Sequence, residues 1–370
     1  MRKAYKYRIY PTKAQSETLD RQLALCCEVY NAALQERRGA YRICGKSITY
    51  LEQQNQLPEI KESCAEFKAL HSQVLQDVLQ RVEKAFTGFF TRLAKGQTAG
   101  YPRFRSRARY DSLTYPQSGF QLAGRKLVLS KIGKIRIKQH RAIAGHIKTL
   151  TLKREAGKWY ACFSVEIVPV ALPVTTAAVG IDVGLESFAV LSDGTAIENA
   201  RYYREAERTL RVAQRRVARR KKGSARRKQA VRLLQRAHAH IRYQRADFHH
   251  KTARQLVNRY GRIVVEDLNV KGLAGGMLAK SVTDTGWSAF FAKLAYKAAE
   301  AGRELIKVDP RGTSQRCPCG AANPKKLSER RHLCDVCGLD IARDHASALE
   351  ILRLGLSLHA STQPDAAYVA

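Results

Sequence analysis

The first ten residues alternate strictly. Ala4, Lys6, Arg8 and Tyr10 fall on one face and Tyr5, Tyr7 and Ile9 on the other, the two-residue period of a strand. Pro11 ends the run, and Thr12 or a neighbour is placed to cap the helix that follows. There Leu19, Leu23, Cys26/Cys27, Tyr30 and Leu34 recur at helical spacing. A second helix carries Val74, Leu75, Val78, Leu79, Val82, Phe86, Phe89, Phe90 and Leu93. That stripe is wide enough for a packed bundle, and its aromatics read as core. From 120 to 168 the period returns to two, with one hairpin around Ile132–Gly133 and another turning at Ala156–Gly157. Several short strands in succession predict a small barrel or sheet. The N-terminal strand can complete it, which makes the helical block an insertion.

The run VPVALPVTT at 168–176 has two prolines and no period, and reads as a linker. Next come strand, turn, strand, an Asp193–Gly194 turn and a third strand. Residues 201 to 258 are helical and joined near Gly223–Ser224. GRIVVEDLNV at 261–270 is a buried strand running into polar residues, and GWSAFFAKLAYKAAEAG is an amphipathic helix stopped by Gly302. ELIKVDP is a further strand. A cysteine-rich segment precedes a last helix from Asp344 to about Leu354, and residues 358–370 are expected to be a flexible tail. No apolar run of about 18 residues suggests a membrane span, and the start lacks the apolar stretch of a secretory signal.

Charge narrows the partners. Lys and Arg number 66 against 32 Asp and Glu, a net charge of +34 with a pI of about 10.1. Such an excess repels itself, and a polyanion relieves the repulsion while releasing counterions. Nucleic acid is therefore the expected partner, with no membrane and no small-molecule substrate. A ribosomal-type structural role is the bland alternative. Between 201 and 230 there are thirteen Lys and Arg but two Glu, too few acids for i,i+4 pairing across a solvated face. Arg215, Arg216, Arg219, Arg220, Lys221 and Lys222 are accordingly candidates for phosphate-backbone contact. Arg103, Arg105 and Arg107 in GYPRFRSRARY alternate with aromatics, a pattern suited to backbone neutralisation plus base stacking. A solvated loop is the alternative there. Cys26, Cys27, Cys44, Cys64 and Cys162 have no paired spacing and read as reduced thiols, which points to the cytoplasm.

Three acids stand where sheet rims and helix starts place them. Asp182 follows Val179-Gly180-Ile181, Glu266 follows Ile263-Val264-Val265, and Asp344 opens the last helix. Acids so held can bind two Mg²⁺ about 3.5–4 Å apart for phosphodiester hydrolysis, and oxygen ligands suit that hard cation. Each alone reads equally as a cap or a surface charge. Together they fit a strand meander, a central strand and a terminal helix, the RNase H arrangement. Glu186, Asp267 and Asp340 are rivals in sequence. Glu266 and Asp267, being adjacent in a strand, cannot both point inward.

Cys317-Pro-Cys319-Gly and Cys334-Asp-Val-Cys337-Gly flank a loop of 14 residues. Two close pairs of thiolates predict one tetrahedral Zn²⁺ with no open coordination position, hence a structural ion. Disulfides are the alternative, and His332 is a possible substitute ligand.

These motifs resemble, over almost the whole chain, the TnpB or OrfB-type proteins of bacterial insertion sequences. YRIYPTKAQ resembles the family's start, GIDVGLESFAVLSDG its first RuvC motif, VVEDLNV its second and ARDHASALEIL its third. TSQRCPCG…HLCDVCG resembles its zinc-ribbon insertion. The resemblance implies an RNA-guided DNA endonuclease, similar to type V CRISPR effectors, that uses a guide RNA from the transposon end. It would cut guide-matched target DNA beside a short flanking motif. Asp182, Glu266 and Asp344 match the family's catalytic acids. Arg343 matches a basic residue before the third acid, read as a salt-bridge former or a contact to the scissile phosphate. The implied fold is α/β and β multidomain. A small wedge β-barrel (1–12 and 97–170) holds an inserted helical recognition domain (13–96). An RNase H-like RuvC domain (171–310 and 341–357) carries a zinc ribbon (311–340). The knuckle Cys317-x-Cys319 departs from the family's usual Cys-x-x-Cys. Two other functions stay open: a catalytically silent guide-directed repressor, and a strand-transfer transposase. For the latter, His238-Ala239-His240 is the available histidine pair.

Overall fold

The computed structural model describes residues 1–326 and 328–362, with side chains through Leu358. The chain forms two compact units that meet between Val168 and Pro169, at the start of the expected linker. Val168, Val170 and Val174 are exposed there.

The first unit opens with β1 (Arg2–Tyr10), then α1 (Lys13–Cys44), α2 (Tyr50–Asn55), α3 (Leu57–Ser63) and α4 (Ser72–Ala94). The strands β2 (Ser112–Tyr115), β3 (Phe120–Ala123), β4 (Lys126–Leu129), β5 (Gly133–Lys138), β6 (His146–Glu155) and β7 (Lys158–Glu166) follow. Thr12 caps α1 in a reciprocal box with Gln15. β1 lies between β7 and β5 and buries Tyr5, Tyr7 and Ile9, the predicted face.

The sheet order is β2-β6-β7-β1-β5-β4-β3. β2 and β3 therefore stand at opposite ends of the ladder, yet few residues connect them. In a flat sheet of seven strands the two ends lie about 29 Å apart. The chain from Tyr115 to Phe120 reaches about 17 Å at most. The sheet must curl, and the Tyr115 and Phe120 rings indeed lie 6.4 Å apart. No ladder joins β2 to β3 among the described residues, so the curl is not a hydrogen-bonded closed barrel.

Helices and sheet share one core, in which Leu19, Leu23 and Tyr30 of α1 and Val74 to Val82 of α4 pack with the sheet's inner face. The expected core does not extend along the rest of α4. Phe90 and Leu93 are exposed. Phe86 and Phe89 are half-buried and rest edge-on against Tyr101, because the fully buried part of the helix ends at Val82.

The second unit runs β8 (Ala178–Asp182), β9 (Ser187–Leu191), β10 (Ala196–Glu198), α5 (Tyr202–Ala218), α6 (Ala225–Arg259), β11 (Arg262–Glu266), α7 (Val270–Leu273) and α8 (Ala279–Thr285). It continues with α9 (Trp287–Ala301), β12 (Glu304–Val308), β13 (Arg331–Leu333), β14 (Asp340–Ala342) and α10 (Arg343–Thr362). The main sheet is ordered β10-β9-β8-β11-β12, an antiparallel meander continued by β11 parallel to both β8 and β12. One face packs Val179, Ile181, Ile263 and Val265 with Leu256 and Val257 of α6 and Phe290 and Leu294 of α9. The other packs Val264 and Val308 with Ile351 of α10.

Two glycines let α10 lie close. A Cβ on Gly180 would stand 2.1 Å from the Ala348 carbonyl oxygen, and one on Gly355 would stand 2.4 Å from a Val264 methyl. α10 runs to Thr362, beyond the expected end near Leu354. Residues 358–362 of the expected tail are thus helical, and residues 363–370 lie outside the described residues. Among the described residues no helix is long and apolar enough to cross a membrane.

Candidate active site

Strand register brings the first two acids together. Val265 of β11 stands opposite Ile181 of β8 in a parallel pair, so each strand's next residue, Glu266 or Asp182, leaves the sheet at the same rim. Asp344 arrives from the first turn of α10, the helix packed on β8. A Cβ on Gly184, two residues past Asp182, would stand 4.0 Å from Asp344 Oδ2.

The electrostatics show that the Asp182 carboxyl senses the other two. Burial, then the charges of Glu266 and Asp344, push the Asp182 carboxyl well above its ordinary value, with Arg343 opposing. Burial likewise raises Glu266, opposed by a hydrogen bond that Thr313 Oγ1 donates to Glu266 Oε1 at 2.5 Å. Among the described residues no Lys or Arg forms an ion pair with any of the three. In a chain of charge +34, clustered acids with no ion-paired Lys or Arg have an unmet demand for positive charge, and repulsion of this kind marks functional sites.

The rival acids are all on the surface in ion pairs: Glu186 with Arg330 at 3.8 Å, Asp267 with Lys307 at 2.7 Å, and Asp340 with Arg331 through two hydrogen bonds. Strand alternation sends Glu266 inward and Asp267 outward, as anticipated. Arg343 donates to the carbonyls of Lys326 and Glu329, tying the segment before β13 to the start of α10.

The four clustered cysteines converge more tightly. Their Sγ atoms all lie within 4.8 Å of one another, with Cys317–Cys337 at 3.6 Å and Cys319–Cys334 at 3.8 Å. A tetrahedral ion with bonds of about 2.3 Å sets its sulfurs about 3.8 Å apart, so these thiols can hold a metal of that kind. The short knuckle reaches the site as well as the long one does. Gly320 and Gly338, at φ 95° and 69°, make the left-handed turns that let their N–H groups donate to the Cys317 and Cys334 carbonyls. Backbone N–H groups of Cys337 and Val336 draw the Cys334 thiol down to about 7, while burial pushes Cys317 up to about 12. His332 is buried beside Lys325 and outside the thiol set. The three acids are not gathered this closely: among the described residues, the thiols are the only set of three or more such ligands within 4.8 Å.

Of the basic candidates, Arg215, Arg216, Arg219, Arg220, Lys221 and Lys222 are exposed at the end of α5 and in the turn after it. Arg216 and Arg220 with Arg226 line a cleft of about 340 Å³ against α6, floored by Ala230 and Leu233. In the first unit Arg103 and Arg105 line an open groove of about 650 Å³ with Tyr30, Lys84, Arg92 and Tyr101. The Arg105 guanidinium sits over the Tyr30 ring. Arg107 is instead paired with Glu28. His238 and His240 are exposed two residues apart on α6, a spacing that points them away from each other. Sequence reasoning missed Thr313, whose contact with Glu266 spans 47 residues and carries no local signature.

Residues 162–276 match the family described as "Probable transposase", residues 287–351 a "Cas12f1-like, TNB domain", and residues 1–46 a "Helix-turn-helix domain". The last stretch holds β1 and the uninterrupted α1 rather than two helices. A Streptomyces pristinaespiralis protein named "Putative RNA-guided DNA endonuclease" is 36 % identical, over 97 % of this chain and 91 % of its own. "Putative RNA-guided DNA endonuclease InsQ" of Escherichia coli K12 is 32 % identical, over 95 % of this chain and 92 % of its own. The mini-RNA-guided endonuclease CRISPR-Cas_phi3 shares the fold at a TM-score of 0.52 and 10 % identity, over 96 % of this chain and 92 % of that one. With relatives this similar across nearly its full length, the chain belongs to the TnpB, or OrfB-type, family of insertion-sequence proteins.

Proposed function

We propose that this chain is an RNA-guided DNA endonuclease of an insertion sequence, cutting guide-matched DNA next to a short flanking motif. The carrying observation is the rim of three acids, at which burial and the charges of Glu266 and Asp344 raise Asp182, burial raises Glu266, and no Lys or Arg among the described residues forms an ion pair. In this reading residues 171–310 and 341–357 are an RNase H-like RuvC domain. Residues 311–340 are its zinc ribbon, and residues 1–12 with 97–170 form a wedge around the helical recognition segment 13–96.

Asp182, Glu266 and Asp344 would hold two Mg²⁺. When bound, the pair supplies an activated water and stabilises the leaving oxygen. Two ions take ligands spread more widely than a single ion does, which accommodates carboxyls less tightly gathered than the thiols. The protein's part is to hold the acids on a rigid sheet and helix. Cys317, Cys319, Cys334 and Cys337 would hold one Zn²⁺ as a structural staple. Arg215, Arg216, Arg219, Arg220, Lys221 and Lys222, with Arg103 and Arg105, would take the phosphates of guide RNA and target DNA by backbone shape, while base pairing reads sequence.

The test is to sequence the RNA that copurifies with the protein and offer plasmid matched to its guide portion. Mg²⁺-dependent cutting of matched plasmid, lost in Asp182→Ala, is the expected result. Cutting that survives Asp182→Ala, or tight binding of matched DNA without any cut by the unaltered protein, sinks the assignment.

A further inference from the structure

The Glu266 carboxylate is held from the cysteine-rich side of the unit. Thr313 Oγ1 lies 2.5 Å from Glu266 Oε1, and both residues are buried. The same hydroxyl lies 3.1 Å from the Pro310 carbonyl oxygen. It has one proton to give. Donating to Pro310 would turn a hydroxyl lone pair onto the carboxylate, so an ionised Glu266 takes the proton. Glu266 Oε2 has no protein partner among the described residues and is not sealed from solvent. One oxygen is thus fixed and the other left open at the rim.

Thr313 is not an isolated neighbour. It begins the turn Thr313–Gln315, entered through Gly312 at φ 81°. Two residues on, the Gln315 side chain clasps Lys325 from both sides, donating to its carbonyl and accepting from its N–H. The Gln315 carbonyl accepts from the Asn323 N–H, and the Cys317 N–H donates to the Ala321 carbonyl. The turn that presents Thr313 is therefore continuous with the frame of the four thiols.

We propose that Thr313 is a positioning residue for Glu266, and that through it the cysteine module sets divalent-cation affinity at the acid rim. This rests on the nuclease reading above. A buried carboxylate whose donor is removed is free to rotate, which weakens its hold on a cation.

The experiment titrates Mn²⁺ into the protein without nucleic acid, following free Mn²⁺ by electron paramagnetic resonance. Parallel assays measure Mg²⁺ half-saturation of matched-plasmid cleavage and zinc content per chain. Thr313→Val is expected to weaken Mn²⁺ binding and raise the Mg²⁺ half-saturation by about tenfold, the scale of an outer hydrogen bond to a metal ligand. Cleavage at saturating Mg²⁺ stays within about twofold of normal by the same argument, and zinc content is unchanged. Thr313→Ser restores normal affinity. Thr313→Ala carries the same prediction if the valine protein fails to fold. Unchanged Mn²⁺ affinity in Thr313→Val or Thr313→Ala, beside a site lost in Asp182→Ala, overturns the role of Thr313 alone. So does a weakened site that Thr313→Ser does not restore. Mn²⁺ binding that Asp182→Ala leaves intact overturns the nuclease reading, and the Thr313 proposal with it.

Discussion

The second unit holds two clusters of potential metal ligands, assembled in opposite ways. The thiols sit in two short knuckles whose glycine turns and backbone hydrogen bonds aim each sulfur locally, and they converge to within 4.8 Å. The carboxyls come from two strands and a helix far apart in sequence. They meet only because β8 and β11 run parallel in register and α10 settles on Gly180. Thiols can share protons and pack as neutral groups, whereas Asp182 is repelled by the charges of Glu266 and Asp344. Local turns can thus preset one site before a metal arrives, while the other must be imposed by the whole fold against its own charge.

The largest effect separating the two is expected from Asp182→Ala. It removes a group held by no hydrogen bond or ion pair among the described residues, so cleavage of matched plasmid falls by at least about 10³-fold, as for a core member of a catalytic set. The melting temperature stays level or rises. A large fall in melting temperature would mean the acids serve stability instead. Cys334→Ser should do the reverse. Structural zinc binds model peptides with about 10–16 kcal/mol, so losing one thiolate of four empties the site and exposes 311–340 to proteolysis while the main sheet stays folded. Zinc analysis with limited digestion reads this directly, and retained zinc with an intact segment breaks the contrast. Next is Gly180→Ala. Its methyl meets the Ala348 carbonyl oxygen at 2.1 Å, so β8 and α10 must part. The expected cost is about 1–3 kcal/mol, seen in denaturant unfolding, with reduced cleavage because Asp344 moves and with zinc content unchanged.

The same division governs what could be read from the sequence. Turns were legible where one residue's conformation decides them: Ala156 and Gly157 both take positive φ, and the β6–β7 hairpin turns there. Asp182 and Glu266 were legible as strand-end residues, Asp344 as the start of a helix, and the thiols as spaced pairs. The four-residue strand β2 was not, because a run as short as SLTY becomes a strand only through its ladder to β6. Asp284 was equally hidden. α5 begins after Arg201 in a left-handed conformation with no side-chain cap of its own. Its Tyr203 and Arg204 N–H groups donate instead to Asp284 of α8, which also pairs with Arg245 of α6. Thr313 belongs to the same class, since its role exists only once β11 and the turn before Cys317 are side by side.

Acid gives the smallest but sharpest separation. Asp182 and Glu266 have folded-state pKa values raised above 3.8 and 4.5. The folded state therefore favours their protonated forms. The stability this contributes is full below those ordinary values and is lost as pH rises through the raised ones. Without divalent cations, Asp182→Asn should melt above the unaltered protein at pH 7 by a few degrees, about 2–4 °C for each kcal/mol in a chain region of this size. The gap should close as pH falls toward about 4, where an unfolded Asp is itself half protonated. Mg²⁺ should narrow the gap at pH 7, because it binds the folded acids and stabilises only the unaltered chain. The thiol cluster runs the other way, since protons compete with its metal and acid strips it. Melting curves from pH 4 to 8, with and without Mg²⁺ and with zinc followed in parallel, should show the acid rim relaxing over the range in which the thiol site fails. A gap between Asp182→Asn and the unaltered protein that is independent of pH would show that charge repulsion at the rim is not what distinguishes it from the thiols.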